Sequence, residues 1–289
     1  MRWASKWLSV SAARPDPRER AGGLQVACLH SLCFRLRLVI GRLREYFSPP
    51  EDIVMRLVIA ALLWLSLTAA ASAHALWIEP EGDGFQLYFG EFGENLREGS
   101  PGLLDRFEPL PAAKAFGTSG DTALKVEKGA TAFQLGGASA GTGSVVAEQA
   151  RVTERKQGDK VTRTLGRLSA RYVSDFSERK PLIPLDIVPT GKPGAFKVFY
   201  DGKPLPKAKV EVATETGWQR ELKTDDNGAF DVDLPWKGTY MIEVTAMDST
   251  PGTHGTEAYD TMRFVTTLTF KVPTGLEAPP RPPVVTPKR

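Results

Sequence analysis

Two histidines, His74 and His254, are the residues in the body of this chain best suited to chemistry. His74 follows Ala71-Ser72-Ala73, which fits the A-x-A rule for signal-peptide cleavage. A cut there would make His74 the first residue and place a free α-amine beside its imidazole. With ordinary pKa values of about 8 and about 6.5, both nitrogens can be neutral donors at neutral pH and can chelate one ion together. A second imidazole, from His254, would complete a T-shaped set of three nitrogens, a histidine brace. Square-planar or tetragonal nitrogen sites favour Cu(II) or Ni(II). Glu257 and Asp260 follow His254 closely and offer oxygen ligands, or carboxylates that orient an imidazole. The sequence therefore predicts a metal site of His74, His254, Glu257 and Asp260. The plain alternative for each is a solvated surface residue. Trp77 and Tyr259 could wall such a site, or simply be core aromatics of their strands.

Other chemistries lack their residues. Both cysteines, Cys28 and Cys33, precede residue 74. The body thus has no disulfide, no cysteine-ligated metal and no thiol nucleophile. There is no Gly-x-Ser-x-Gly elbow, phosphate-binding glycine loop or H-E-x-x-H. No enzyme activity is expected on this ground. The formal charge of +3 is unevenly spread: residues 1–73 hold 10 of the 37 Lys/Arg and 5 of the 34 Asp/Glu. The rest carries 27 basic and 29 acidic groups, a net charge of −2. It lacks the basic excess that dominates nucleic-acid binding.

The elements that must position these residues begin with an export signal. Met55 and Arg56 precede the apolar run Leu57–Leu67 and the small residues before His74. This is a complete secretory signal over 55–73, cleaved after Ala73, and its apolar run is too short to span a bilayer as a helix. Translation is expected to start at Met55, with residues 1–54 an over-extended reading of the gene. The mature protein would be periplasmic or secreted, without a transmembrane segment.

After residue 74 the chain reads as short alternating strands. Ala75–Glu79 and Phe85–Phe89 flank a Glu-Gly-Asp-Gly turn. Residues 100–110 could make one short helix, capped by Ser100 with Pro101 in its first turn. Thr153–Lys160 reads as a polar loop tip, and the 252–260 segment as a loop. Four prolines in 181–193 mark a domain boundary. Beyond it, 195–200, 208–213, 219–223, 229–234, 239–247 and 262–272 are strands with turns between them. Two β-sandwich-like domains are expected, 74–190 and 191–275, in an all-β protein. The proline-rich residues 276–289 are expected to be a disordered tail.

The segments Asp201–Lys209 (DGKPLPKAK), Lys223–Phe230 (KTDDNGAF) and Leu234–Tyr240 (LPWKGTY) resemble transthyretin-like and carboxypeptidase-regulatory-like β-sandwiches. The whole mature chain is similar to the DUF4198 family. The shared pieces are H-A-L-W at His74, Y-F-G-E at Tyr88–Glu91, the segments above, and G-x-H-G-x-E-x-Y-D at Gly252–Asp260. The resemblance implies a transthyretin- or Ig-like second half, a periplasmic location and a link to nickel or cobalt uptake, with a membrane metal transporter as partner. The amine-x-x-His pattern of nickel-binding N-termini is absent, because Ala75 and Leu76 follow His74. This shifts the expectation towards copper or another late transition metal. The leading function is a metal carrier or uptake accessory. The alternatives are a copper-dependent oxidase of the histidine-brace type and a structural β-sandwich that binds an envelope protein.

Overall fold

Strands must pair their backbone groups, and a run of short alternating segments can do so only by building sheets. The computed structural model describes residues 74–118, 120–139 and 141–287. The described chain is all-β. Its strands are β1 (Ala75–Glu81), β2 (Gly84–Glu91), β3 (Leu96–Arg97), β4 (Ala112–Gly117), β5 (Gly120–Lys128), β6 (Phe133–Gly136), β7 (Ser144–Gln157), β8 (Lys160–Val173) and β9 (Leu185–Pro189). They continue with β10 (Ala195–Tyr200), β11 (Lys203–Pro204), β12 (Lys209–Thr214), β13 (Gln219–Lys223), β14 (Ala229–Asp231), β15 (Gly238–Asp248), β16 (Gly252–His254), β17 (Glu257–Tyr259) and β18 (Thr261–Val272).

Twelve strands form one sheet in the order β1-β2-β6-β5-β4-β7-β8-β18-β15-β12-β13, with β3 attached to β2. β9, β10, β11 and β14 form a second sheet, and β16 and β17 a separate hairpin. β8 and β18 run parallel, with Val265 beside Leu168 and Thr269 beside Tyr172.

β8 joins two cores. Ala170 and Tyr172 pack on one face with Leu76, Ile78, Phe85 and Phe133. Val173, on the other face, packs with Leu185, Ile187, Phe196, Ile242 and Phe270. Arg171 shares that second face and is 1% exposed. Its Nη1 donates to Asp186 Oδ2 at 2.6 Å and its Nε to Ser144 Oγ at 3.1 Å. Asp186 also accepts the backbone N–H groups of Leu182 (2.7 Å) and Ile187 (2.8 Å). A buried ion pair survives only when its remaining hydrogen-bonding positions are filled in this way.

Several expectations need correction. Residues 71–289 form one compact unit with two cores, and the segment 181–193 is not a bare linker. That segment contains β9, buried along its whole length and paired with β10. Pro184 precedes the strand and Pro189 ends it, so the prolines bracket the ladder instead of interrupting it. The expected loop tip at Thr153–Lys160 is the paired end of the β7–β8 arm. The register continues to Gln157 opposite Lys160, and Gly158 (φ 62°) and Asp159 make the turn. Its residues are polar because water lies on both faces of the arm.

The expected helix at 100–110 is a single 3₁₀ turn, Leu103–Arg106. The 252–260 loop is largely the β16–β17 hairpin. The expected disordered tail takes a defined course over residues 276–287. Val285 O accepts from Arg97 N at 2.8 Å, and Val285 N donates to Asn95 O at 3.1 Å. Arg281 donates twice to the Glu79 carboxylate, at 2.8 and 3.3 Å. A proline-rich strand lacks donors of its own but extends readily and can be strapped down by a few such bonds. The expectations for residues 1–54 and for the signal at 55–73 lie outside the described residues.

Carboxylates face one another on the outer strands. Glu211 stands opposite Glu243 on β15 and opposite Glu221 on β13. Lys209 bridges Glu211 and Glu221 at 2.8 and 3.0 Å. Burial, reinforced by the Glu211 charge, pushes Glu243 up to about 7. A carboxyl whose folded pKa lies above its unfolded value favours folding at low pH. That advantage fades as pH rises from about 4.5 to about 7. Melting temperature should therefore fall over this window by less in Glu243→Gln than in the parent, measured by calorimetry. Equal pH slopes would refute the assignment. For the buried pair, Asp186→Ala should cost about 3–5 kcal/mol in urea unfolding because it strands Arg171. The Arg171→Met/Asp186→Leu double variant should recover most of that loss. A single-variant loss below about 0.5 kcal/mol, the size of an ordinary surface substitution, would contradict it.

Candidate metal site at His74

His74 stands immediately before β1, at the end of the sheet. Ala75 pairs with Gly90 on β2, which brings the His74 ring beside the last residues of that strand. The ring lies 5.3 Å from Phe89, tilted by 56°. Phe89 meets Phe107 edge-on at 4.9 Å, and Phe107 meets Phe133 at 5.3 Å. One side of the imidazole is thus held by a file of aromatics that leads into the core.

Two carboxylates hold the other side. His74 Nε2 is 2.7 Å from Glu98 Oε1, and Nδ1 is 3.5 Å from Glu91 Oε1. Glu98 is 1% exposed, whereas the His74 side chain keeps 26% of its surface. The backbone sets both acids. Glu91 ends β2, and Glu98 N donates to Phe89 O at 2.8 Å. The tight turn between them uses Asn95 with φ 51°. Gly90 has φ 148°, and a Cβ there would lie 2.1 Å from Leu96 O. Only glycine lets β2 and β3 close this tightly.

A carboxylate accepts hydrogen bonds and donates none, so with Glu98 ionised the 2.7 Å contact takes its hydrogen from Nε2. In the neutral ring Nδ1 then keeps its lone pair. This is the nitrogen an α-amine chelate needs, and the pattern matches the carboxylate–histidine–metal arrangement. Two donors about 2.1 Å from a shared ion stand about 3.3–3.5 Å apart when the angle between them is near tetrahedral. The 3.5 Å Nδ1–Glu91 separation suits that angle and would have to shorten to about 3.0 Å at the 90° of a tetragonal site. Among the described residues, no group of three or more His, Cys, Asp or Glu side chains is gathered to hold a metal ion. The side chains alone are therefore an incomplete donor set.

The other predicted residues lie elsewhere. His254 ends β16 opposite Glu257 on β17. It lines a cleft with Pro109, Leu110, Glu148, Arg167 and Pro184. Glu257 is exposed. Asp260 pins the hairpin to β8: its Oδ2 accepts from Arg163 N at 2.7 Å, and its N donates to Arg163 O at 2.9 Å. Trp77 is fully buried, stacked on Tyr88 at 5.5 Å, with its Nε1 donating to Glu79 at 2.9 Å. Tyr259 packs within its own hairpin, with its hydroxyl over Gly252. Neither is in the aromatic file beside His74. Sequence reasoning missed Glu91 and Glu98. Glu91 closes the Tyr88–Glu91 segment, but no spacing ties Glu98 to His74.

The model of a domain of unknown function, DUF4198, matches residues 71–248. The chain belongs to the DUF4198 family. No curated protein and no solved structure matches it. The DUF4198 match begins just before His74 and takes in β1, β2, Glu91 and Glu98, so the whole His74 site lies inside the family's span. The hairpin strand β17, with Glu257 and Tyr259, and the final strand β18 lie beyond it.

The backbone constraint can be tested without metal. Gly90→Ala should lower stability by about 1–3 kcal/mol, through strain at a positive φ. It should also shift the NMR signals of the His74 ring. Gly84→Ala meets no atom within 4 Å and should do neither. Unmoved His74 signals in Gly90→Ala would show that this closure does not set the site.

Proposed function

We propose that this is an exported protein that binds a transition-metal ion, copper or nickel/cobalt, through His74 at its mature N-terminus. It acts as a carrier or uptake accessory in the periplasm and passes its cargo to a membrane metal transporter. The observation that carries this reading is the short contact of His74 Nε2 with buried Glu98, which leaves Nδ1 facing Glu91. Cleavage after Ala73 would supply the α-amine that the side chains lack. Glu91 would add an oxygen on the Nδ1 side. Glu98 would orient the ring without touching the ion. His254, Glu257 and Asp260 have no part in this arrangement, which shortens the brace to one histidine. The amine and nitrogen donors favour copper or nickel, and the carboxylate admits cobalt. In the same reading, β9 to β18 form the transthyretin-like half and serve as its scaffold. Among the described residues no helix is long and apolar enough to cross a membrane.

The test compares protein that begins at His74 with protein carrying one extra residue before it. Titration calorimetry with Cu(II) and Ni(II) should show affinity falling at least a hundredfold in the extended form, since only the free amine is lost. Glu98→Gln in the processed form should weaken binding by about 10–100-fold, the usual effect of losing a ligand's carboxylate partner. Binding should also weaken as pH drops, because protons compete for both nitrogens. Equal affinity with and without the extra residue would overturn the proposal. It would leave His74 as a structural contact between Glu91 and Glu98.

A further inference from the structure

A second site lies away from His74, where the β16–β17 hairpin folds over β7 and β8. It is a cleft of about 460 Å³, lined by Pro109, Leu110, Pro184, Glu148, Arg167 and His254 among others. Its volume falls within the range of small-molecule sites. Its walls combine apolar surface with one acid, one guanidinium and one imidazole.

The two charged groups are unusually placed. Ala150 pairs with Arg167 and Glu148 with Ser169, so Glu148 and Arg167 are diagonal neighbours on one face. At that spacing long side chains of opposite charge normally meet. Here they feel each other's charge but form no ion pair. Among the described residues the Arg167 side chain makes no hydrogen bond, and its Nε is buried without a partner. The nearby Asp248 carboxylate is occupied by the Tyr200 hydroxyl at 2.5 Å. Burial raises the Glu148 carboxyl, against the pull of Arg167 and a bond from Ser169. An acid and a guanidinium that line one apolar-walled cleft without pairing present opposite charges to whatever enters.

We propose that this cleft binds a small zwitterion of the apolar amino-acid class. The carboxylate would lie on Arg167, where a guanidinium gives two parallel hydrogen bonds. The ammonium group would lie on Glu148, and the side chain against Pro109, Leu110 and Pro184. His254 closes the polar end as a further donor to the carboxylate. Its position in the fold thereby gains a role that does not involve metal.

Calorimetry with the full-length protein would use L-leucine, L-methionine and L-phenylalanine as probes, followed by leucinamide and N-acetyl-leucine. At least one amino acid should give saturable binding at millimolar or lower concentration. Leucinamide, without the carboxylate, and N-acetyl-leucine, without the ammonium, should each bind at least tenfold more weakly than leucine. Arg167→Gln should weaken leucine at least tenfold, with Arg167→Lys in between. Glu148→Gln should weaken leucine but leave N-acetyl-leucine unchanged. Melting curves would confirm that each variant folds. No saturable binding by any of the three amino acids would overturn the proposal, as would parental affinity in Arg167→Gln. N-acetyl-leucine binding as tightly as leucine would overturn it too, by removing the need for Glu148.

Discussion

The structure depends on burying one strand, β8, on both faces. A strand in a half-exposed sheet needs apolar residues only at alternate positions. The inner end of β8 has no such freedom, because a core closes over each side of it. Its solution is uneven. Ala170 and Tyr172 face one core, while the other face carries Ser169, Arg171 and Val173. The arginine is tolerable only because β9 delivers Asp186 to it, together with two backbone donors for the acid's other lone pairs. The proline-rich connection before β10 is thus held by a polar contact, not left as a spacer. The parallel partner β18 completes the arrangement with threonines whose hydroxyls reach backbone carbonyls on β1 and β9.

The two sites sit at opposite kinds of boundary in this frame. His74 lies where a strand begins and its neighbours β2 and β3 close a tight turn, so its surroundings are fixed mainly by backbone geometry. The Arg167–Glu148 cleft lies where the double burial of β8 gives out. Leu165 is the last residue buried towards the exposed arm, and beyond it the pairing continues into water. Side chains at that transition are half-covered. They are neither committed to the core nor free in solvent, which is where polar groups remain available to a ligand.

Much of this was legible in the sequence. Alternation marked β12 and β14, and turn residues such as Asp201-Gly202 and Asn227-Gly228 marked strand ends. What failed did so for physical reasons. Thr153–Lys160 is polar because an isolated hairpin arm has no inner face, and polarity alone reads as loop. The Leu185–Pro189 strand was hidden by prolines that lie at its margins. The tail looked disordered because it has no core of its own, yet it needs none when Arg281 and Val285 borrow partners from β1 and β3. At the site, residue type identified His74 correctly as the group to watch. The acids that hold it, Glu91 and Glu98, come from a turn whose closure depends on Gly90, a relation no periodicity carries. His254 was grouped with His74 on residue type alone, and in the fold it lines a cleft with Arg167 and Glu148.

The strand that follows His74 is tied to the far end of the chain. The Leu76 and Ile78 carbonyls accept from Thr267 and Thr269, each 191 positions away, and Glu79 is held by Arg281, 202 positions away. Contacts this distant are the slowest to form, because a long loop must close before any of them is rewarded. β1 is therefore locked by residues that follow it by some two hundred positions. Until β18 and the tail arrive, β1 rests on its pairing with β2 and its packing against β8, without the threonine and Arg281 bonds. The order of synthesis thus becomes an order of assembly. β1 gains its last hydrogen bonds only when β18 and the segment around Arg281 are in place.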